Sequence, residues 1–157
     1  MTKMDLGDKI AGISDEEALE TVSYIANWMG EQAKMEGKLP VTEALPNDRL
    51  ALDVLSDALP ELADSLKEIH DNDHNAKIAK NMLSFMAEQN NYAAKVEEAI
   101  DRPSLRGEPF ALGLGTAFLL FLVLEFELRY TDKKAGKSLY LAKKSQIMEL
   151  LMKILGH

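Results

Sequence analysis

The chain of 157 residues contains no cysteine. That absence excludes a disulfide scaffold, a thiolate zinc site, an iron–sulfur cluster and a cysteine nucleophile. Histidine is nearly as scarce. There are three, His70, His74 and His157, and their spacing does not build a serine triad. No Gly-x-Ser-x-Gly elbow occurs either. Positive charge is in short supply: 18 Lys and Arg face 26 Asp and Glu, a formal charge of −8. A chain of that sign repels phosphate at long range, so nucleic acid is not an expected partner. Residues Met1 to Lys9 lack a basic leader followed by an apolar core. No Sec-type signal is therefore read there, and the cytoplasm is the default location. Internal repeats, low-complexity segments and long flexible linkers are missing too.

What is present describes an ordinary globular chain. The apolar fraction is 46%, above the range of disordered sequences. The length suits one domain, and a chain of this size buries roughly 70% of its unfolded surface without needing a metal or disulfide. Residues 1–157 are read as a single domain with two unlike parts, 14–101 and 110–157. Charge separates them. Residues 1–101 hold 9 Lys/Arg against 21 Asp/Glu, a net of −12, and residues 102–157 hold 9 against 5, a net of +4. Such asymmetry marks an interaction surface or two parts that attract each other.

The acidic part reads as three amphipathic helices. Ser14, followed by Asp15, Glu16 and Glu17, has the form of a capping box placed at the positive end of a helix dipole. Leu19, Val22, Ile25, Ala26, Met29 and Ala33 then recur at helical spacing up to Gly37. Lys38–Pro46, with two prolines, reads as a loop. Leu52, Leu55, Leu59, Leu62, Leu66 and Ile69 are spaced 3, 4, 3, 4, 3, a seam on one helix face, with a kink or break expected at Pro60. After a polar turn at His70–Asn75, a third helix carries Ala79, Met82, Met86, Ala93, Val96 and Ile100. Gln89 stands at a seam position of that helix.

From Phe110 the character changes. Phe110–Leu124 carries no charge over 15 residues. Leu122, Leu124, Phe126, Leu128 and Tyr130 then alternate with Val123, Glu125, Glu127, Arg129 and Thr131, the period of a half-buried strand. Lys137–Lys143 can pair back across a turn at Asp132–Gly136, which makes a β-hairpin over about 122–143. A last helix, about Ser145 to Leu155, is apolar nearly all round. The fold class expected is mainly α: a helical bundle-like domain with one C-terminal β-hairpin followed by a terminal helix.

Candidate chemistry is sparse, and each candidate has a plainer reading. His70 and His74 lie four apart, as helical metal ligands do, and Asp71 and Asp73 could add oxygens. As a calcium loop from Asp71, however, the stretch has Ala76 where glycine is needed and Met82 where the closing glutamate belongs. A solvated turn explains it as well. Gly136-Lys137-Ser138 imitates the end of a phosphate loop but has Thr131 in place of the first glycine. Gly113-Leu114-Gly115 is followed by Phe118, not a small residue, and lacks a βαβ setting. Glu125 and Glu127 fall on one strand face, where solvation accounts for them.

Arg129, Lys133, Lys134, Lys137, Lys143 and Lys144 cluster on the expected hairpin. Such a group can meet anionic lipid or nucleic acid, and it also protects a sheet edge. The run 110–124 falls short of the ~20 apolar residues of a membrane span, and Glu125 and Glu127 would cost roughly 2–3 kcal/mol each at a bilayer centre.

No enzymatic constellation and no cofactor is read. The expectation is a small cytosolic, non-catalytic interaction protein: an adaptor, an immunity- or chaperone-like partner, or an accessory subunit. Its contacts with another protein or another copy would run through Leu52, Leu55, Leu59, Leu62, Leu66, Ile147, Leu151 and Ile154, unless those seams are internal core. The alternatives are a membrane-associating protein using 110–124 and the basic hairpin, and a metal-dependent protein centred on His70 and His74.

Overall fold

The computed structural model describes residues 5–38, 48–71, 75–105, 113–125, 129–133, 136–140 and 144–155. Among these it has eight α-helices: α1 (Leu6–Gly12), α2 (Asp15–Met35), α3 (Asp48–Ala58), α4 (Ala63–Asp71), α5 (Asn75–Ala87), α6 (Asn90–Asp101), α7 (Leu114–Glu125) and α8 (Lys144–Leu155). Two strands, β1 (Arg129–Lys133) and β2 (Gly136–Tyr140), lie between α7 and α8.

The least polar helix sets the arrangement. In α7 every residue from Leu114 to Val123 is buried. A helix without a polar face has no side to turn to water, so it must be enclosed. The long α2 packs along it, and α3 covers a second side. Each of these presents one apolar stripe inward. In α2 the stripe is Ala18, Val22, Ile25, Ala26, Met29 and Ala33. The stripes merge into one hydrophobic cluster to which α1, α5 and α8 also contribute.

Local chemistry sets where the helices start and stop. At α2 the Glu17 N–H donates to Ser14 Oγ at 3.1 Å, and the Ser14 N–H donates to Glu17 Oε1 at 3.2 Å. This is the expected capping box, which satisfies two otherwise orphaned donors. The same helix ends on Gly37 at φ +73°, a conformation that glycine adopts without steric cost. There the Lys38 N–H donates to the Ala33 carbonyl (2.8 Å) and the Gly37 N–H to that of Lys34 (3.1 Å), the paired bonds of a Schellman end. Pro60 breaks the leucine seam into α3, a 3-10 turn at Pro60–Leu62, and α4. Leu55, Leu59 and Leu66 stay fully buried across that break. The Asn81 side-chain amide donates to the Ile154 carbonyl at 3.0 Å, tying α5 to the last turn of α8.

Several expectations need correction. The mainly α reading fits, but the C-terminal β-hairpin over 122–143 does not stand as read. Residues 122–125 are the last turn of α7, not a strand. Leucine and valine are both apolar, so their alternation there carried no period-two information and suited a buried helix as well as a buried strand. Extended pairing is confined to an antiparallel ladder running from Arg129 opposite Tyr140 to Lys133 opposite Gly136. The architecture is therefore a helical one. The expected third helix is two, α5 and α6, and Gln89 stands at the N-terminal boundary of α6 in extended backbone, without a side-chain cap bond, not at a seam position. Helix α1 falls where the sequence read only as a polar leader. Helix α8 is not apolar all round: Ile147, Leu150, Leu151 and Ile154 are buried, whereas Met152 and Lys153 are exposed.

The enclosure of α7 predicts a steep contrast in mutational cost. Phe118→Ala, at a site 1% exposed, should lower unfolding stability by about 3–5 kcal/mol in urea titration. Met152→Ala, at a site 40% exposed, should change it by less than about 0.5 kcal/mol.

Candidate functional site

The eight apolar residues expected to make contacts all lie inside the chain. Leu52, Leu55, Leu59, Leu62, Leu66, Ile147, Leu151 and Ile154 are each no more than 5% exposed and belong to the common cluster. In this conformation they hold the chain's own helices together, so any contact surface is formed by other residues. Of the basic group, Arg129 and Lys133 lie on β1, Lys137 on β2, and Lys144 opens α8. The side chains of all four, and Lys134 and Lys143 entirely, lie outside the described residues.

His70 is in the last turn of α4, with its side chain outside the described residues, and His74 lies outside them altogether. Among the described residues no three His, Cys, Asp or Glu side chains are grouped to hold a metal. Glu125 ends α7, not a strand, so its expected pairing with Glu127 on one strand face is corrected as well. Among the described residues no helix is long and apolar enough to cross a membrane. The twelve residues of α7 span ~18 Å at 1.5 Å each, against ~30 Å of bilayer hydrocarbon.

A different surface emerges where α1 meets α6. On α1, Leu6 is half-buried and Ile10, four residues on, is buried; Ile13, just past the helix end in extended backbone, is buried too. This stripe docks α1 against α5 and α6. Docking brings Lys9 to α6, where its ammonium contacts both carboxylate oxygens of Asp101 at 3.1 and 3.0 Å. The same ammonium stands 3.9 Å from Glu97 Oε1. The Lys9 side chain is only 16% exposed, which shields its pairs more than an open surface would.

On α6 the residues fall in two neighbouring rows with a four-residue step, Ala93, Glu97, Asp101 and Ala94, Glu98, with Arg102 following at the helix end. Together with Leu6 they line a groove of about 680 Å³. Apolar and charged side chains share its lining, and carboxylates outnumber cations there. Glu98 also pairs with Lys95 at 3.5 Å. The Lys95 ammonium lies 5.6 Å from the ring centre of Trp28 and 5.8 Å from that of Tyr24, within cation–π range. The four-residue rows were visible in the sequence. Their joining to Lys9, 92 positions away in the chain, was not.

Behind α6 runs a chain of rings. Trp28 meets Tyr92 edge-on at 5.7 Å, Tyr92 meets Phe121 at 5.4 Å, and Phe121 meets Phe85 edge-on at 5.7 Å. Tyr92 is 2% exposed and its hydroxyl donates to Glu125 Oε1 at 2.7 Å. Burial first, then that hydrogen bond and the charges of Glu125 and Glu36, push the Tyr92 hydroxyl far above the usual phenol range. It therefore stays protonated at neutral pH and fastens α6 to the end of α7.

Comparison with protein-family models, curated proteins and solved structures finds no match to this chain.

The Tyr92 shift has a defined stability consequence. Its folded pKa lies above the unfolded value, so the folded state retains the proton longer. The stabilisation is complete below about pH 10 and is lost as pH rises through the range between the two values, at about 1.4 kcal/mol per pH unit. Urea titrations above pH 10 should show a steeper decline for the wild type than for Tyr92→Phe. Parallel declines would contradict the assignment.

Proposed function

We propose that this chain is a small cytosolic protein of the adaptor or accessory-subunit kind, non-catalytic, which binds a basic surface on another protein. The observation that carries this reading is the α1–α6 groove and its setting. Its lining combines apolar atoms from Leu6, Ala93 and Ala94 with the carboxylates of Glu97, Glu98 and Asp101. Over all the described residues taken together, fourteen acidic side chains are exposed against six basic ones. That imbalance raises encounter rates with a positively charged partner and disfavours negatively charged ones. The apolar seams face inward, so charge and a modest apolar patch supply recognition.

Affinity capture from the native host at low salt, followed by reconstitution of the bound protein with the purified chain, tests the reading. Raising salt from about 50 to 500 mM shortens the screening length from roughly 14 to 4 Å, and the dissociation constant should rise at least about tenfold. Saturable binding that ignores salt would contradict a charge-led interface. The absence of any saturable partner would contradict the function itself.

A further inference from the structure

Helix α1 occupies part of a surface larger than itself. Its seven residues cover ~10 Å of axis, whereas the twelve of α6 cover ~18 Å. The groove of about 680 Å³ along Ala94, Glu98 and Arg102 stays open beside it.

The attachment of α1 is also separable from the rest of the fold. A helix this short does not hold itself in water, so α1 exists by docking. Asp5, at its start, supplies no side-chain cap. The next helix, α2, has its own complete capping box and does not need α1 to begin. What anchors α1 is Ile10, 1% exposed, and the Lys9 contacts with Asp101 and Glu97.

We infer that the α5–α6 surface is a helix-binding site whose resident is α1, and that a longer amphipathic helix of a partner protein takes its place. The inference rests on the interaction reading above and names the partner's chemistry. The resident shows what the site accepts: two aliphatic anchors four residues apart, as Leu6 and Ile10 are, with a cation directly before the second anchor to face Glu97 and Asp101. Ala93 and Ala94 are small, which lets a partner helix approach at the ~8–10 Å axial separation of close-packed helices. A longer helix reaches Glu98 and the open part of the groove, which α1 leaves unfilled. Recognition of an amphipathic helix in a groove by anchors at this spacing is a common binding mode. Because α1 is tethered, it competes at millimolar effective concentration, and the site is held closed until a better helix arrives.

The test uses the full chain. Lys9→Glu places a carboxylate against Glu97 and Asp101 and dislodges the resident. The probe is a fluorescent 20-residue peptide holding residues 5–14 extended by alanines and lysines, followed by anisotropy. We expect this peptide to bind the Lys9→Glu chain at least about tenfold more tightly than the wild type. Against Asp101→Lys the preference should reverse, with a peptide carrying glutamate in place of its lysine binding better than the original.

If Lys9→Glu loses its helical circular dichroism, Lys9→Met removes the charge and keeps the apolar stem, with the same gain expected. Equal binding to wild type and variant, or none to a folded variant, would overturn the inference. It would leave intact a salt-sensitive partner that binds the groove without displacing α1. Wild-type dimers that Asp101→Lys dissolves would assign the site to a second copy and overturn the partner-helix reading.

Discussion

A twelve-residue helix with no polar face cannot lie at a surface, and α7 imposes that condition on everything around it. Ten of its consecutive residues are buried, so neighbours have to surround it. Among the described residues those neighbours are amphipathic helices that give one stripe to the interior and keep their charges outside. The acidic excess follows from the same division of labour. With apolar residues of α2 and α3 directed inward, their outer faces are free to carry carboxylates, and like charges spread over such a surface favour solubility over self-association. The Tyr92–Glu125 bond and the Lys38 ammonium on the Leu124 carbonyl at 3.0 Å both act at the C-terminal end of α7. That is where the enclosed helix meets solvent and its last carbonyls need partners.

How much of this could be read in advance depended on the range of the interaction. Ser14 and Glu17 bond within one turn, so their capping box was legible. Pro60 acts through its own ring and missing N–H, so the break in the leucine seam was legible too. Residues 122–125 were not, because a uniformly apolar stretch suits a buried strand and a buried helix alike, and only the neighbours of α7 decide between them. The α5–α6 junction was missed for a related reason. Gln89 falls where the 3/4 spacing places a seam residue, and polarity alone does not separate a seam defect from the helix boundary it is. Helix α1 depends wholly on docking, so a window of its own residues shows little.

The candidate site divides along the same line. The leucine seams were found by periodicity, yet periodicity states only that a face is apolar, not whether its partner belongs to the same chain. The structure places Leu52, Leu55, Leu59, Leu62 and Leu66 inside. The α1–α6 groove was hidden because Lys9 and Asp101 meet only after the chain has folded back between them. What the sequence did carry was the four-residue spacing of Ala93, Glu97 and Asp101, which acquires meaning once α1 is known to lie beside it.

These facts bear on what kind of binding the chain can support. An interface built from leucine seams would be large, dry and insensitive to salt. Here the seams are committed to enclosing α7, and opening them would expose the core. The surface that remains offers small apolar groups beside carboxylates, a composition that gives fast, orientation-sensitive encounters and modest contact energy. A tethered resident such as α1 fits that regime. It shields Ile10 and the α5–α6 contacts from water while no partner is present. If a partner helix binds as proposed, α1 also sets an affinity threshold, because the incoming helix has to surpass a competitor at millimolar effective concentration. Specificity in that proposed binding would come from geometry shared between resident and partner: the four-residue anchor spacing of Leu6 and Ile10 and the position of one ammonium against Glu97 and Asp101.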